Sequence, residues 1–281
     1  MATPKNQSVL KAFAMLRSFD SADQWMTNSE LSRRANLPEA SGYRLIETLL
    51  EVGAVVRGPR GRYRPGMLLV SLSQYVVVPE LLHDASKNVA AELANRLDVT
   101  VHLGILEDGM VYYVTRATTP TSFSPHTRPG CQLEAYCTGL GKVLLAALPQ
   151  DQLERIILDG ELVPLTRYTI VNRSLLRSKL QEVRERGFAL DERETREDMC
   201  CVAVPVYDRQ GRTIAALSAS ESAERMTEKR QRKLRHALDE ASAEITRKIY
   251  PAASAIAGPT DQLSIVNHGF ETDVDQGSIQ C

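Results

Sequence analysis

The chain has 281 residues and a 43% apolar fraction, enough for two domains with buried cores. Its apolar runs are all short and its first residues lack a charged start followed by an apolar core, so neither a transmembrane protein nor a secretory leader is expected. The net charge of −1 hides a division: residues 1–75 hold 10 Lys+Arg against 6 Asp+Glu, a surplus of +4, while residues 76–281 hold 24 against 29. A basic front and an acidic back suit a DNA-binding head on a body that does not bind DNA.

Gln7 to Phe19 is amphipathic, with Val9, Leu10, Phe13, Leu16 and Phe19 as its apolar stripe, and predicts a first helix. Trp25 is expected to close the small core behind it. Thr27-Asn28-Ser29-Glu30 fits a capping box, which starts a second helix through Ala35. Asn36-Leu37-Pro38 breaks that helix, because Asn tolerates a left-handed conformation and the residue before Pro avoids the helical region. A third helix follows with Leu45, Ile46, Leu49, Leu50 and Val52 on its apolar face, and Gly53 stops it. Its other face shows Ser41, Gly42, Tyr43 and Arg44, placed as base-edge and phosphate contacts are in a helix-turn-helix. Gly42 permits either close approach to DNA or close helix packing. Residues 54–64 then read as strand, turn and strand, and carry Arg57, Arg60, Arg62 and Arg64. Together Thr27 to Arg64 have the pattern of a winged helix-turn-helix, with the basic hairpin as wing and Thr27, Ser41, Gly42, Tyr43, Arg44, Arg57, Arg60 and Arg62 as candidate contacts to double-stranded DNA. A short linker helix begins near Met67, and residues 5–75 form the head.

Residues 80–250 alternate differently. A helix from Glu80 to Leu97 precedes strands over 99–106 and 110–116 around Glu107-Asp108-Gly109, and residues 117–136 form a long polar loop. Helices are expected at 139–148, 151–158 and 172–186, strands at 188–191, 199–207 and 213–220, and a long charged helix at 227–249. This is an α+β or α/β sensor-like domain with a partly antiparallel sheet. Gly139-Leu140-Gly141-Lys142 superficially resembles a phosphate loop but lacks its glycine spacing and its Ser/Thr after Lys. Within the polar loop, His126 and Arg128 are available to a ligand: Arg128 could clamp a carboxylate or be an exposed loop charge. Beyond Pro251 the chain turns Gly-, Asp- and Ser-rich, and residues 251–281 are expected to be a disordered tail. Five cysteines (Cys131, Cys137, Cys200, Cys201 and Cys281) form no Cys-x-x-Cys pair. They predict a cytoplasmic protein with free thiols, and no metal or cofactor is expected.

The order of these pieces resembles the IclR family of bacterial transcription regulators. In the head the resemblance rests on Ser8-Val9-Leu10-Lys11-Ala12, on Leu31-Ser32-Arg33-Arg34-Ala35-Asn36-Leu37-Pro38 and on Tyr43-Arg44-Leu45. In the body it rests on Cys137 to Ala146, on Arg186 to Asp191, on Cys201 to Val206 and on Ala215 to Ser220. The resemblance implies a winged helix-turn-helix head and a GAF-like effector-binding domain, in a homodimer or dimer of dimers that represses or activates. It implies an effector that is a small organic or aromatic acid, held by the backbone amides at Gly139 and Leu140 and by Asp191, Cys201, Ser218 and Ser220. The chemistry agrees, since a helix start favours an anion and Ser218 and Ser220 share one strand face.

Two other functions compete with a regulator of a catabolic operon. An enzyme could use Cys201 as nucleophile, with His102 or His126 the only bases in reach. A ligand-binding module could act only through protein partners, which leaves the basic wing unexplained.

Overall fold

The computed structural model describes residues 4–20, 24–123, 125, 127–159 and 161–251; the expected disordered tail lies outside them, save Pro251. The chain divides into two compact units, which part between Val76 and Val77.

The first unit holds α1 (Gln7–Leu16), α2 (Asn28–Arg34), α3 (Glu39–Glu51), β1 (Val55–Arg57), β2 (Tyr63–Pro65) and α4 (Met67–Ser73). The capping box at Thr27 is present, with its hydroxyl accepting from the Glu30 amide at 3.2 Å and the Glu30 carboxylate accepting from the Thr27 amide at 2.7 Å. Asn36 takes the left-handed turn (φ 54°), and Gly53 (φ 73°) follows α3 as its stop. The core of Met15, Met26, Leu31, Ile46, Leu49 and Tyr63 departs from the expected stripe. Val9 and Phe13 are 51% and 56% exposed, and Val52 is 53% exposed. The first helix carries two overlapping apolar faces, and the one that includes Ala12, Met15 and Leu16 is turned inward. Trp25 is only half-buried; its neighbour Met26 fills the core and pairs its backbone with Tyr63.

The second unit holds α5 (Val78–Leu97), β3 (Thr100–Glu107), β4 (Met110–Ala117), β5 (Gln132–Glu134), α6 (Gly139–Ala146), α7 (Gln150–Asp159), α8 (Arg173–Arg186), β6 (Ala189–Glu192), β7 (Met199–Tyr207), β8 (Thr213–Ser222) and α9 (Glu228–Ile249). The strands form one six-stranded sheet in the order β5-β4-β3-β8-β7-β6, and every neighbouring pair is antiparallel rather than only some. β5 lies inside what reads as continuous loop, since a three-residue edge strand carries no periodicity.

The two faces of this sheet differ in side-chain volume. Val202, Val204 and Val206 of β7 and Leu217 and Ala219 of β8 pack into the core that α5 and α9 complete. The alternate residues are small: Cys201, Ala203, Ala216, Ser218 and Ser220. Because successive strand residues point to opposite faces, this one choice of residues fills one layer and leaves space in the other, beneath α6.

Candidate nucleic-acid interface and ligand cavity

In the head, Tyr43 (54% exposed) and Arg44 stand on the outer face of α3, and Ser41 is half-buried beside them. Gly42 is not on that face. It is buried, and a Cβ there would lie 1.9 Å from Ser32 Oγ of α2, so close packing of α3 on α2 accounts for the glycine. Thr27 spends its hydroxyl on the cap. Arg57 is tied inward as well: it pairs with Glu47 of α3 and donates to Tyr63 Oη at 3.2 Å. The wing turn, Pro59–Gly61, brings Arg60 (φ 58°) to an exposed tip. Arg62 is exposed and donates to the Trp25 carbonyl at 2.9 Å, and Arg64 stacks over the Trp25 ring at 4.7 Å.

In the second unit a cavity of about 260 Å³ opens where the small-residue face of the sheet meets the start of α6. Cross-strand register builds its floor. Asp191 stands opposite Cys201, Cys201 opposite Ser220, and His102 opposite Ser218; directly opposed residues share a face. Cys201 Sγ and Ser220 Oγ lie 3.1 Å apart. Thr138 caps α6 by accepting from the Gly141 amide at 2.9 Å. Gly139 and Leu140 border the cavity as the first two helical residues, whose N–H groups have no partner within a helix. Gly141 lets the helix sit this close, since a Cβ there would meet the backbone of Ala135 at 2.1 Å.

The cavity thus brings together Gly139, Leu140, Asp191, Cys201, Ser218 and Ser220. It does not include Arg128, which is exposed; its backbone amide donates to Cys131 Sγ at 3.4 Å and its carbonyl accepts from the Cys131 amide at 3.1 Å. His126 lies outside the described residues. Sequence reasoning missed Tyr113, Thr127, Leu165, Thr195, Arg196 and Met199, all of which line the wall, and gave His102 no binding part. Leu165 and Arg196 come from irregular loops and gave no signal.

Burial governs the electrostatics. His102 is pushed down to about 3 by desolvation and by nearby Arg116, so it is neutral, and its Nε2 lies 2.7 Å from Thr127 Oγ1. Desolvation pushes the Cys201 thiol well up and Asp191 up to about 6. Asp191 accepts from the Glu194 amide at 2.7 Å and from Thr195 Oγ1 at 2.6 Å, so it serves as turn residue and cavity wall at once. Glu194 in turn pairs with buried Lys142 of α6, and its carbonyl accepts from Thr169 Oγ1 at 2.7 Å and Thr166 Oγ1 at 3.3 Å. Arg196 reaches the wall while held in a two-point pair with Asp198 (2.9 and 2.8 Å).

Comparison with known proteins agrees with both units. The model for the IclR helix-turn-helix domain matches residues 8–59, and that for the bacterial transcriptional regulator IclR C-terminal domain matches residues 74–247. The HTH-type transcriptional regulator XynR of Escherichia coli is 32% identical over 251 residues, 89% of this chain and 100% of its own. The crystal structure of the Thermotoga maritima IclR is 28% identical, with a TM-score of 0.56, over 86% of this chain and 98% of its own. An IclR homologue from Microbacterium hydrocarbonoxydans, complexed with 4-hydroxybenzoate, shares the fold at 23% identity and a TM-score of 0.58, over 88% of this chain and 100% of its own.

Proposed function

The chain belongs to the IclR family of bacterial transcriptional regulators, and from that premise we propose that its DNA-binding head is switched by a small organic or aromatic acid seated in the cavity under α6. The observation that carries this reading is the convergence, in one half-open cavity, of the α6 start with Ser218, Ser220, Cys201 and Asp191. Helix-start amides and the helix dipole favour a carboxylate, and the hydroxyls and the Asp191 carboxyl suit its remaining oxygens.

On the output side Ser41, Tyr43 and Arg44 read the major groove, and Arg60 and Arg62 hold the phosphate backbone. The active species is a homodimer or a dimer of dimers on half-sites about 34 Å apart or a multiple of that. Effector binding favours one arrangement of the assembly and so changes how the two heads are presented. The regulated genes are those of a catabolic operon, and the protein acts in the cytoplasm. Among the described residues no helix is long and apolar enough to cross a membrane.

A cysteine enzyme fits the same cavity poorly. Cys201 is held as the neutral thiol and His102 is a very weak base, whereas a nucleophilic cysteine needs thiolate character and a matched base.

Two measurements test the reading. A thermal-shift screen of small monocarboxylic acids, 4-hydroxybenzoate included, should find a stabilising ligand whose effect is lost in Ser218→Ala. Arg44→Ala should weaken operator binding at matched salt by about tenfold or more, as loss of a base-edge contact does; unchanged affinity would show that α3 does not read DNA through Arg44.

A further inference from the structure

Three buried ionisable side chains sit at and behind the cavity wall: Asp191 (1% exposed), Glu194 (3%) and Lys142 (4%). Two carboxylates therefore share one ammonium. Lys142 is paired with Glu194, and the second oxygen of that carboxylate, Oε2, is buried with no hydrogen-bond partner.

The other ionisable groups near this trio are either shifted away from neutral pH by burial or tied to partners elsewhere. Before α6, Cys137 is pushed up to about 12. On β4 and β7, burial raises Tyr113, Cys200 and Cys201. On β3, His102 stays neutral. Glu192 of β6 is exposed, and Glu182 of α8 is committed to Lys179 and Arg186. Arg196 remains charged and bound to Asp198. The Asp191–Glu194 pair is left as the group that titrates.

With both carboxyls ionised, the trio sets two negative charges against one ammonium. A carboxylate beside the first turn of α6 adds a third in a poorly hydrated space, where like charges drive one group to its neutral form. We propose that an anionic effector enters this cavity together with one proton from solvent, which is taken up by the Asp191–Glu194 carboxylate pair. This rests on the reading of the cavity as an acid-binding effector site. Burial already raises both carboxyls, Asp191 to about 6, so the proton is within reach near neutral pH.

Titration calorimetry on the full-length protein tests it, with the tightest-binding monocarboxylate of the screen as probe, at pH 6, 7 and 8 in buffers of different ionisation enthalpy. Close to one proton should be taken up per site at pH 8, and affinity should fall by about tenfold per pH unit above the carboxyl's titration. Glu194→Gln removes one negative charge at constant shape. It should abolish proton uptake and hold affinity within about threefold from pH 6 to 8, so that it binds more tightly than the parent at pH 8. A purely structural role for Glu194 predicts weaker binding at every pH instead. Binding by the parent without proton uptake, or a pH dependence that Glu194→Gln leaves intact, overturns the proposal alone. Absence of binding by every acid in the screen overturns the acid-effector reading, and this proposal with it.

Discussion

At the scale of single residues, Asp191 shows how one position serves two ends. Its carboxyl organises the turn that follows β6 and also forms cavity wall, and burial raises it from 3.8 to about 6. A raised carboxyl binds its proton more tightly in the folded state than in the unfolded one. The stability it contributes is therefore complete below about pH 4 and is lost as pH rises through about 6. Against this parent slope, Asp191→Asn should flatten the unfolding free energy between pH 4 and 6 by on the order of 2–3 kcal/mol, read by denaturant titration at a series of pH values. The resemblance of Phe188-Ala189-Leu190-Asp191 to a family motif singled out Asp191, and the structure places it in the cavity wall. Its role in the turn was not legible, because the amide of Glu194 and the hydroxyl of Thr195 reach it only once the loop folds back.

At the scale of elements, local chemistry made the helix-turn-helix readable. A capping box, an Asn that accepts a left-handed turn and a glycine stop each act within a few residues. What failed were choices that depend on distant partners. The first helix has two apolar faces, and packing chose the one with Met15 over the one with Val9 and Phe13. Gly42 precedes the exposed Tyr43 and Arg44, yet Ser32 behind it dictates the residue. Gly42→Ala should lower the stability of the head by about 1–3 kcal/mol through overcrowding, despite the roughly 1 kcal/mol gained in helix propensity. Pairing it with Ser32→Ala should restore part of the loss in thermal unfolding. Loss of no stability in the single variant would mean that Ser32 simply rotates away. In the body, the small residues at alternate positions of β7 and β8 were legible as strand faces, but the space they leave became visible only with α6 above them.

For the whole molecule, the division of charge sets how the protein meets DNA. A head with a surplus of only +4 on an acidic remainder should bind through a few cationic contacts rather than through a basic surface at large. Operator affinity should fall linearly with salt on logarithmic axes, with a slope near −0.9 for each phosphate contacted. Arg60→Ala should lessen that slope by about 1 per head engaged, across specific and random DNA alike, as measured by fluorescence anisotropy at several salt concentrations. Glu194 carries a different lesson at this scale. Through its side chain, amide and carbonyl it fastens α6, Asp191 and the segment around Thr166–Thr169 to one point. Such a hub should make the cavity's rim a single cooperative piece, so that a guest bracing one spoke is expected to slow amide exchange along all three, as hydrogen exchange would read.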